Sequence, residues 1–172
     1  MPVVVAVVVL VRVLGGGGTG GSSGTVADVS GTPSPQREDL SPLPVDVPPV
    51  TAEADAACPG LMSALPLELA GEKSRPVTSS SPFAYAWGDP PVVLVCGVDR
   101  PAGFVATSGL IQIDAVQWYV DDSDPDTVVW TAVDRSVYVR LSIPSSLDSA
   151  SATELSDIIA TALPAQQPQP GG

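Results

Sequence analysis

Leu110-Ile111-Gln112-Ile113-Asp114-Ala115-Val116-Gln117-Trp118-Tyr119-Val120 is the stretch on which the fold turns. Ile111 and Ile113 share one parity, whereas Val116, Trp118 and Val120 share the other. A strand sends successive side chains to opposite faces, so an unbroken strand here would expose half of its apolar set. A turn or bulge at Asp114-Ala115 returns both halves to one core and predicts two short strands. Downstream, apolar runs at Thr127 to Val133 and Ser136 to Ile143 meet at Asp134-Arg135. Connections this short join antiparallel neighbours. Upstream, Phe83, Tyr85 and Trp87 alternate with Ala84 and Ala86, the period of a strand with one aromatic face. Gly88-Asp89-Pro90-Pro91 then turns the chain into Val92 to Cys96, an unbroken apolar run expected to be covered on both faces.

A helix is expected at each end of this strand-rich region. Thr51 can N-cap the first, with Leu61, Met62 and Leu65 on one side, and Pro59 is expected either to split it or to begin it afresh. The second opens with a capping box, Ser151 and Glu154, and carries Leu155, Ile158, Ile159, Ala162 and Leu163 as one stripe before Pro164. The expected class is therefore α+β: a single, mainly antiparallel sheet of about five to six strands, a short N-terminal helix and an amphipathic C-terminal helix.

Outside that region the composition changes. Residues 1–18 hold an apolar run of Val, Leu and Ala broken only by Arg12, ending in Gly15 to Gly18, and read as a membrane anchor or signal segment. Val3 to Leu14 makes only about 18 Å of helix, short of the ~30 Å hydrocarbon core, and no basic stretch precedes it. The segment is thus expected to be truncated at its start, with the natural start codon upstream. Neither a cleavage site nor a lipid-accepting Cys follows, which favours an uncleaved anchor over secretion after cleavage. Residues 19–49 are rich in Gly, Ser and Pro and read as a disordered tether, residues 50–163 as one globular domain, and residues 164–172 as a disordered tail.

The charge excludes some partners. The 172-residue chain has a net charge of −12, and the region after Val47 sets Lys73, Arg75, Arg100, Arg135 and Arg140 against fifteen acids. Phosphate backbones are repelled by such a balance, so no nucleic-acid partner is expected. No His occurs anywhere, which removes Ser-His-Asp, Cys-His and most catalytic zinc chemistry. Cys58 and Cys96 are the only two cysteines, and behind an export-type N-terminus they are expected to form one disulfide.

The segment from Trp87-Gly88-Asp89-Pro90-Pro91 through Val98 resembles the signature of an actinobacterial envelope family known as domain of unknown function 3515. Cys58 with Leu61, Leu65 and Pro66, the Asp114 to Trp118 turn, and Asp134 to Val139 leading to Ile143-Pro144 are similar in the same order. Where that family is expected to carry Asn-Gly at the hairpin turn, this chain has Asp114-Ala115. The resemblance implies an exported protein with an N-terminal apolar segment and two cysteines, and no established activity.

Three sets of residues could carry recognition. Trp87, Gly88, Asp89, Pro90 and Pro91 form the candidate binding surface, because a stiff Pro-Pro turn beside an aromatic presents a fixed, half-apolar face. Trp87, Trp118 and Trp130 with Phe83, Tyr85 and Tyr138 could line a groove, although aromatics at strand spacing more often make core. Arg135 and Arg140, with Lys73 and Arg75, could grip an anion or pair with the many carboxylates. The acids Asp121, Asp122, Asp124 and Asp126 resemble the start of a calcium loop, but Thr127 stands where Gly is needed and Val133 where the bidentate Glu is needed. No catalytic residue, metal or cofactor is expected. The sequence points to a membrane-tethered extracytoplasmic domain, not an enzyme, that binds an envelope protein or cell-wall component. The competing readings are a carboxylate-based envelope hydrolase, marked by two acids on the floor of a cleft, and a purely structural envelope protein.

Overall fold

The computed structural model describes residues 40–172, so the expected anchor over residues 1–18 and the tether as far as residue 39 lie outside the described residues. In chain order the elements are β1 (Leu43–Pro44), α1 (Ala52–Ala64), β2 (Glu68–Leu69), β3 (Glu72–Arg75), β4 (Val77–Thr78), β5 (Ala84–Trp87) and β6 (Val92–Val98). They continue with β7 (Ile111–Ile113), β8 (Val116–Asp121), β9 (Thr127–Ala132), β10 (Tyr138–Pro144) and α2 (Ala150–Ala162). The main sheet runs β2-β3-β5-β6-β10-β9-β8-β7, and every pairing in it is antiparallel. The class is α+β as expected, but the sheet has eight strands. The extra ones, β2 and β3, are short and carry Glu68, Glu72, Lys73 and Arg75, so they show no apolar period.

The phase slip at Asp114-Ala115 is a two-residue hairpin loop, with Ile113 opposite Val116 and Ile111 opposite Trp118. Asp114 takes φ 51, the left-handed region that tight hairpin loops demand and that Asp tolerates. Both halves do not reach the core equally: Val116 and Trp118 are buried, while Ile111 at the edge is exposed. The second tight hairpin, β2–β3, turns at Ala70 (φ 49) and Gly71 (φ 79). An alanine in that region is strained, and a hydrogen bond from Ala70 N–H to Glu154 Oε2 at 2.9 Å holds it there.

Both helices pack on one face of the sheet, over Trp87, Leu94, Trp118, Val139 and Leu141. Thr51 caps α1 as expected, accepting from Ala54 N–H at 3.1 Å. Pro59 neither splits nor starts the helix; it lies exposed inside a continuous α1, on the side away from buried Ala54, Cys58 and Leu61. The capping box at α2 does not form. The helix begins at Ala150 with Ser149 as N-cap and no side-chain cap bond, which places Ser151 inside the first turn and buried. Asp148 Oδ1 accepts from Ala150 N–H at 2.9 Å instead, and Glu154 is the residue that reaches Ala70. Ser156 was missed as a core position: buried, it accepts from Trp118 Nε1 at 3.0 Å and donates to Ala152 O at 2.7 Å, which satisfies the indole.

Cys58 of α1 and Cys96 of β6 form the expected disulfide, with Cα atoms 5.8 Å apart and both residues in the core. Beside it, β6 slips register: Tyr138 faces Val98 while Val139 faces Cys96, so Gly97 (φ 82) is the extra residue of a bulge. The bulge brings β6 against α1 so closely that a Cβ on Gly97 would lie 2.6 Å from Ala54 Cβ.

Both stretches expected to be coil are in part tied to the domain. Leu43–Pro44 of the tether pairs in parallel with Val77–Thr78. In the tail, Gln166 N–H donates to Asp134 O at 2.8 Å and Gly171 N–H to Phe104 O at 2.8 Å. Composition argues only that a segment cannot build a core; it says nothing of main-chain groups that a finished domain offers.

Candidate functional site

The expected binding surface is divided by the structure. Trp87 is wholly buried and its Nε1 donates to Pro66 O at 2.9 Å, so it caps the core and cannot read a partner. Gly88 (φ 74) packs so tightly that a Cβ there would meet Glu72 Oε2 at 2.8 Å. Asp89 and Pro90 are exposed and Pro91 is half-buried. Arg75 braces the turn, with Nη1 donating to Gly88 O at 3.2 Å and lying 3.8 Å from Asp89 Oδ1. The aromatic groove does not form either. Phe83, Trp87, Trp118 and Trp130 are core, Tyr85 packs 4.6 Å from the Trp87 ring, and Trp118 meets Trp130 edge-on at 6.1 Å. Tyr138 and Tyr85 line separate surface clefts, Tyr85 beside Arg75 and Val77.

The acidic run is a hairpin loop. Asp121 Oδ1 accepts from Ser123 N–H and Asp124 Oδ1 from Asp126 N–H. The bonds to Ser123 hold the Asp121 carboxyl below its ordinary value. Among the described residues no group of three or more His, Cys, Asp or Glu is placed to hold a metal.

Arg135 is buried and held by groups of the chain itself. The connection from β9 to β10 is buried, and the Arg135 side chain is only 2% exposed. Its Nη1 donates to Leu163 O at 3.4 Å, its Nη2 to Ala115 O, and its Nε lies 3.3 Å from Asp134 Oδ1. One guanidinium thereby joins the end of α2, the β7–β8 hairpin and its own strand connection. Burial raises the Asp134 carboxyl above its ordinary value, outweighing the attraction of Arg135.

A polar cleft of about 280 Å³ opens beside this buried pair. The N-terminus of α1 contributes Thr51 and Glu53, the chain just after β6 contributes Asp99 and Arg100, the β9–β10 connection contributes Ser136, and β10 contributes Tyr138. The tail closes one side with Gln166, Gln167 and Gln169, held by Ser136 N–H to Pro164 O at 3.0 Å and by Tyr138 Oη to Gln169 O at 3.4 Å. Ser136 Oγ is buried with no hydrogen-bond partner. Glu53 and Asp99 are exposed at the rim, not desolvated on the floor. Sequence reasoning missed this cleft: its glutamines lie in a segment whose composition reads as spacer, and no local pattern joins them to Arg100 or Tyr138.

The fold and cleft define a disulfide-clamped α+β domain with a polar surface site built mainly from hydrogen-bonding groups. The chain belongs to the family described as Protein of unknown function (DUF3515), whose model matches residues 3–168. That span runs from the apolar N-terminal stretch into the tail. Neither the curated proteins nor the solved structures yield a match to this chain. Among the described residues no helix is long and apolar enough to cross a membrane.

Proposed function

We propose that this chain is a membrane-tethered extracytoplasmic binding domain, not an enzyme, which recognises an envelope protein or a cell-wall component through the polar cleft. The observation that carries the reading is the cleft itself. Arg100, Ser136, Tyr138 and three tail glutamines converge on one opening and offer donors and acceptors from three separate parts of the chain. Hydrolysis of a glycoside asks for one desolvated acid facing one ionised one across the substrate. Glu53 and Asp99 are exposed, and the carboxyl that burial does raise, Asp134, faces Arg135. The buried disulfide supports an oxidising compartment, and the apolar N-terminal run supports attachment to the membrane. The test is a photoreactive residue at Gln167 in the full chain in cells, with mass spectrometry of the adducts. A discrete adduct with an envelope protein or wall component, lost in Arg100→Glu at unchanged melting temperature, is expected. Diffuse adducts indifferent to Arg100 would refute the cleft, and cleavage of wall glycan by the purified chain would replace binding by hydrolysis.

A further inference from the structure

The tether does not simply hang from the domain; its last part is strapped across it. Leu43, Val45 and Val47 are half-buried while Pro44 and Asp46 are exposed, the alternation of a strand lying on a surface. Leu43 N–H donates to Pro76 O and Val45 N–H to Thr78 O, each at 2.9 Å. β4 takes no place in the eight-stranded sheet, and among the described residues β1 is its only ladder partner. A parallel ladder of two short strands is a weak unit, since two-stranded pairs are marginal and parallel pairing is the less stable form.

Two guanidiniums mark the ends of the strap. Arg75 Nη2 donates to Ser41 O at 3.3 Å and Arg140 Nη2 to Asp46 O at 3.5 Å. From the strap both receive only neutral carbonyls, and the Nε of each is buried without an acceptor. Arg75 has exposed Asp89 at 3.8 Å, whereas no carboxylate lies within 4.0 Å of Arg140 among the described residues. Carboxylates in those places would make charge-assisted bonds, shorter and about twice as strong as those to carbonyls.

We propose that the Val77–Thr78 edge, with Arg75 and Arg140 at its two ends, is a docking site for an extended acidic segment of a partner protein, and that Leu43–Asp46 occupies it in cis. Strand addition to an open edge supplies main-chain affinity, alternate apolar residues fill the places of Leu43, Val45 and Val47, and carboxylates engage the two guanidiniums. Displacement of the strap also frees about ten residues of tether, up to ~30 Å of added reach. The Arg140 end adjoins the polar cleft at Val98 and Asp99, but the Val77–Thr78 edge takes no part in the cleft, and failure of the strap site would leave the cleft reading standing.

The test uses the full chain with Val45→Pro or Leu43→Pro, each removing one N–H that holds the strap. The probe is a fluorescent peptide of the sequence of residues 41–49 with Glu in place of Ser41. Released variants should bind it about tenfold more tightly than the wild type, the factor by which a mostly closed strap lowers apparent affinity. Adding Arg140→Gln should remove most of that gain. Equal binding by wild type and folded variants, or none by any, would overturn the proposal. Hydrogen exchange on the wild type decides it should both variants unfold: Leu43 and Val45 amides must exchange well before that of Cys96. Exchange of all three only with the whole domain would overturn it.

Discussion

Replacing both Cys58 and Cys96 with Ala removes the link between α1 and the centre of the sheet, and its cost follows from the chain between them. The two residues are separated by 38 positions. Opening a loop of about 39 residues returns about 13 cal/mol/K to the unfolded chain, or about 3.9 kcal/mol at 25 °C. Both positions are buried, so the smaller side chains also leave some lost packing, and the expected loss is about 3 to 5 kcal/mol. A domain of this size has about 5 to 15 kcal/mol in all, so the variant should be markedly weakened and in some conditions unfolded. The assay is urea unfolding of wild type and double variant followed by Trp fluorescence, with non-reducing peptide mapping of the native protein isolated from cells. Trp118 and Trp87 are wholly buried, so their emission reports the core directly. A loss below about 1 kcal/mol would refute the chain-entropy argument. Two alkylatable thiols in the native protein would refute the oxidising location on which the functional reading leans.

Gly97→Ala should cost about 2 kcal/mol or more in the same urea assay, because the residue sits at φ 82 and its new Cβ would lie 2.6 Å from Ala54 Cβ on a helix held by the disulfide; a change within about 0.5 kcal/mol would show that the bulge is not pinned as described. Asp134→Asn tests the buried pair through pH. The folded-state value lies above the ordinary 3.8, so the folded chain holds this proton more tightly than the unfolded one. That contribution is full below pH 3.8 and is lost as pH rises through the folded-state value, so the wild type should lose stability relative to Asp134→Asn on going from about pH 3.5 towards neutrality; the opposite slope would mean that Arg135 outweighs burial.

What could be read from the chain alone came from local pattern. The parity break at Asp114-Ala115 announced the β7–β8 hairpin, the unbroken run from Val92 announced a central strand, and Thr51 announced the cap of α1. Two cysteines in a chain with an apolar N-terminus announced the disulfide. In each case the signal lies within a few residues of the structure it specifies, through side-chain alternation, cap chemistry or a count of thiols. Tertiary structure decided the rest. Trp87 stood in both the candidate surface and an aromatic alternation of the kind that more often makes core, and the sheet and Pro66 O enclosed it. Ser151 and Glu154 had the spacing of a capping box, yet burial took the serine and the β2–β3 turn took the glutamate. The strap at Leu43 and the tail at Gln166 hold by main-chain hydrogen bonds to partners remote in sequence, and β3 joins the main sheet through Trp87 and Ala86 of β5. Such bonds use groups that almost every residue carries, so they leave little trace in composition or period, and they appear only once the fold has set the distant donors and acceptors face to face.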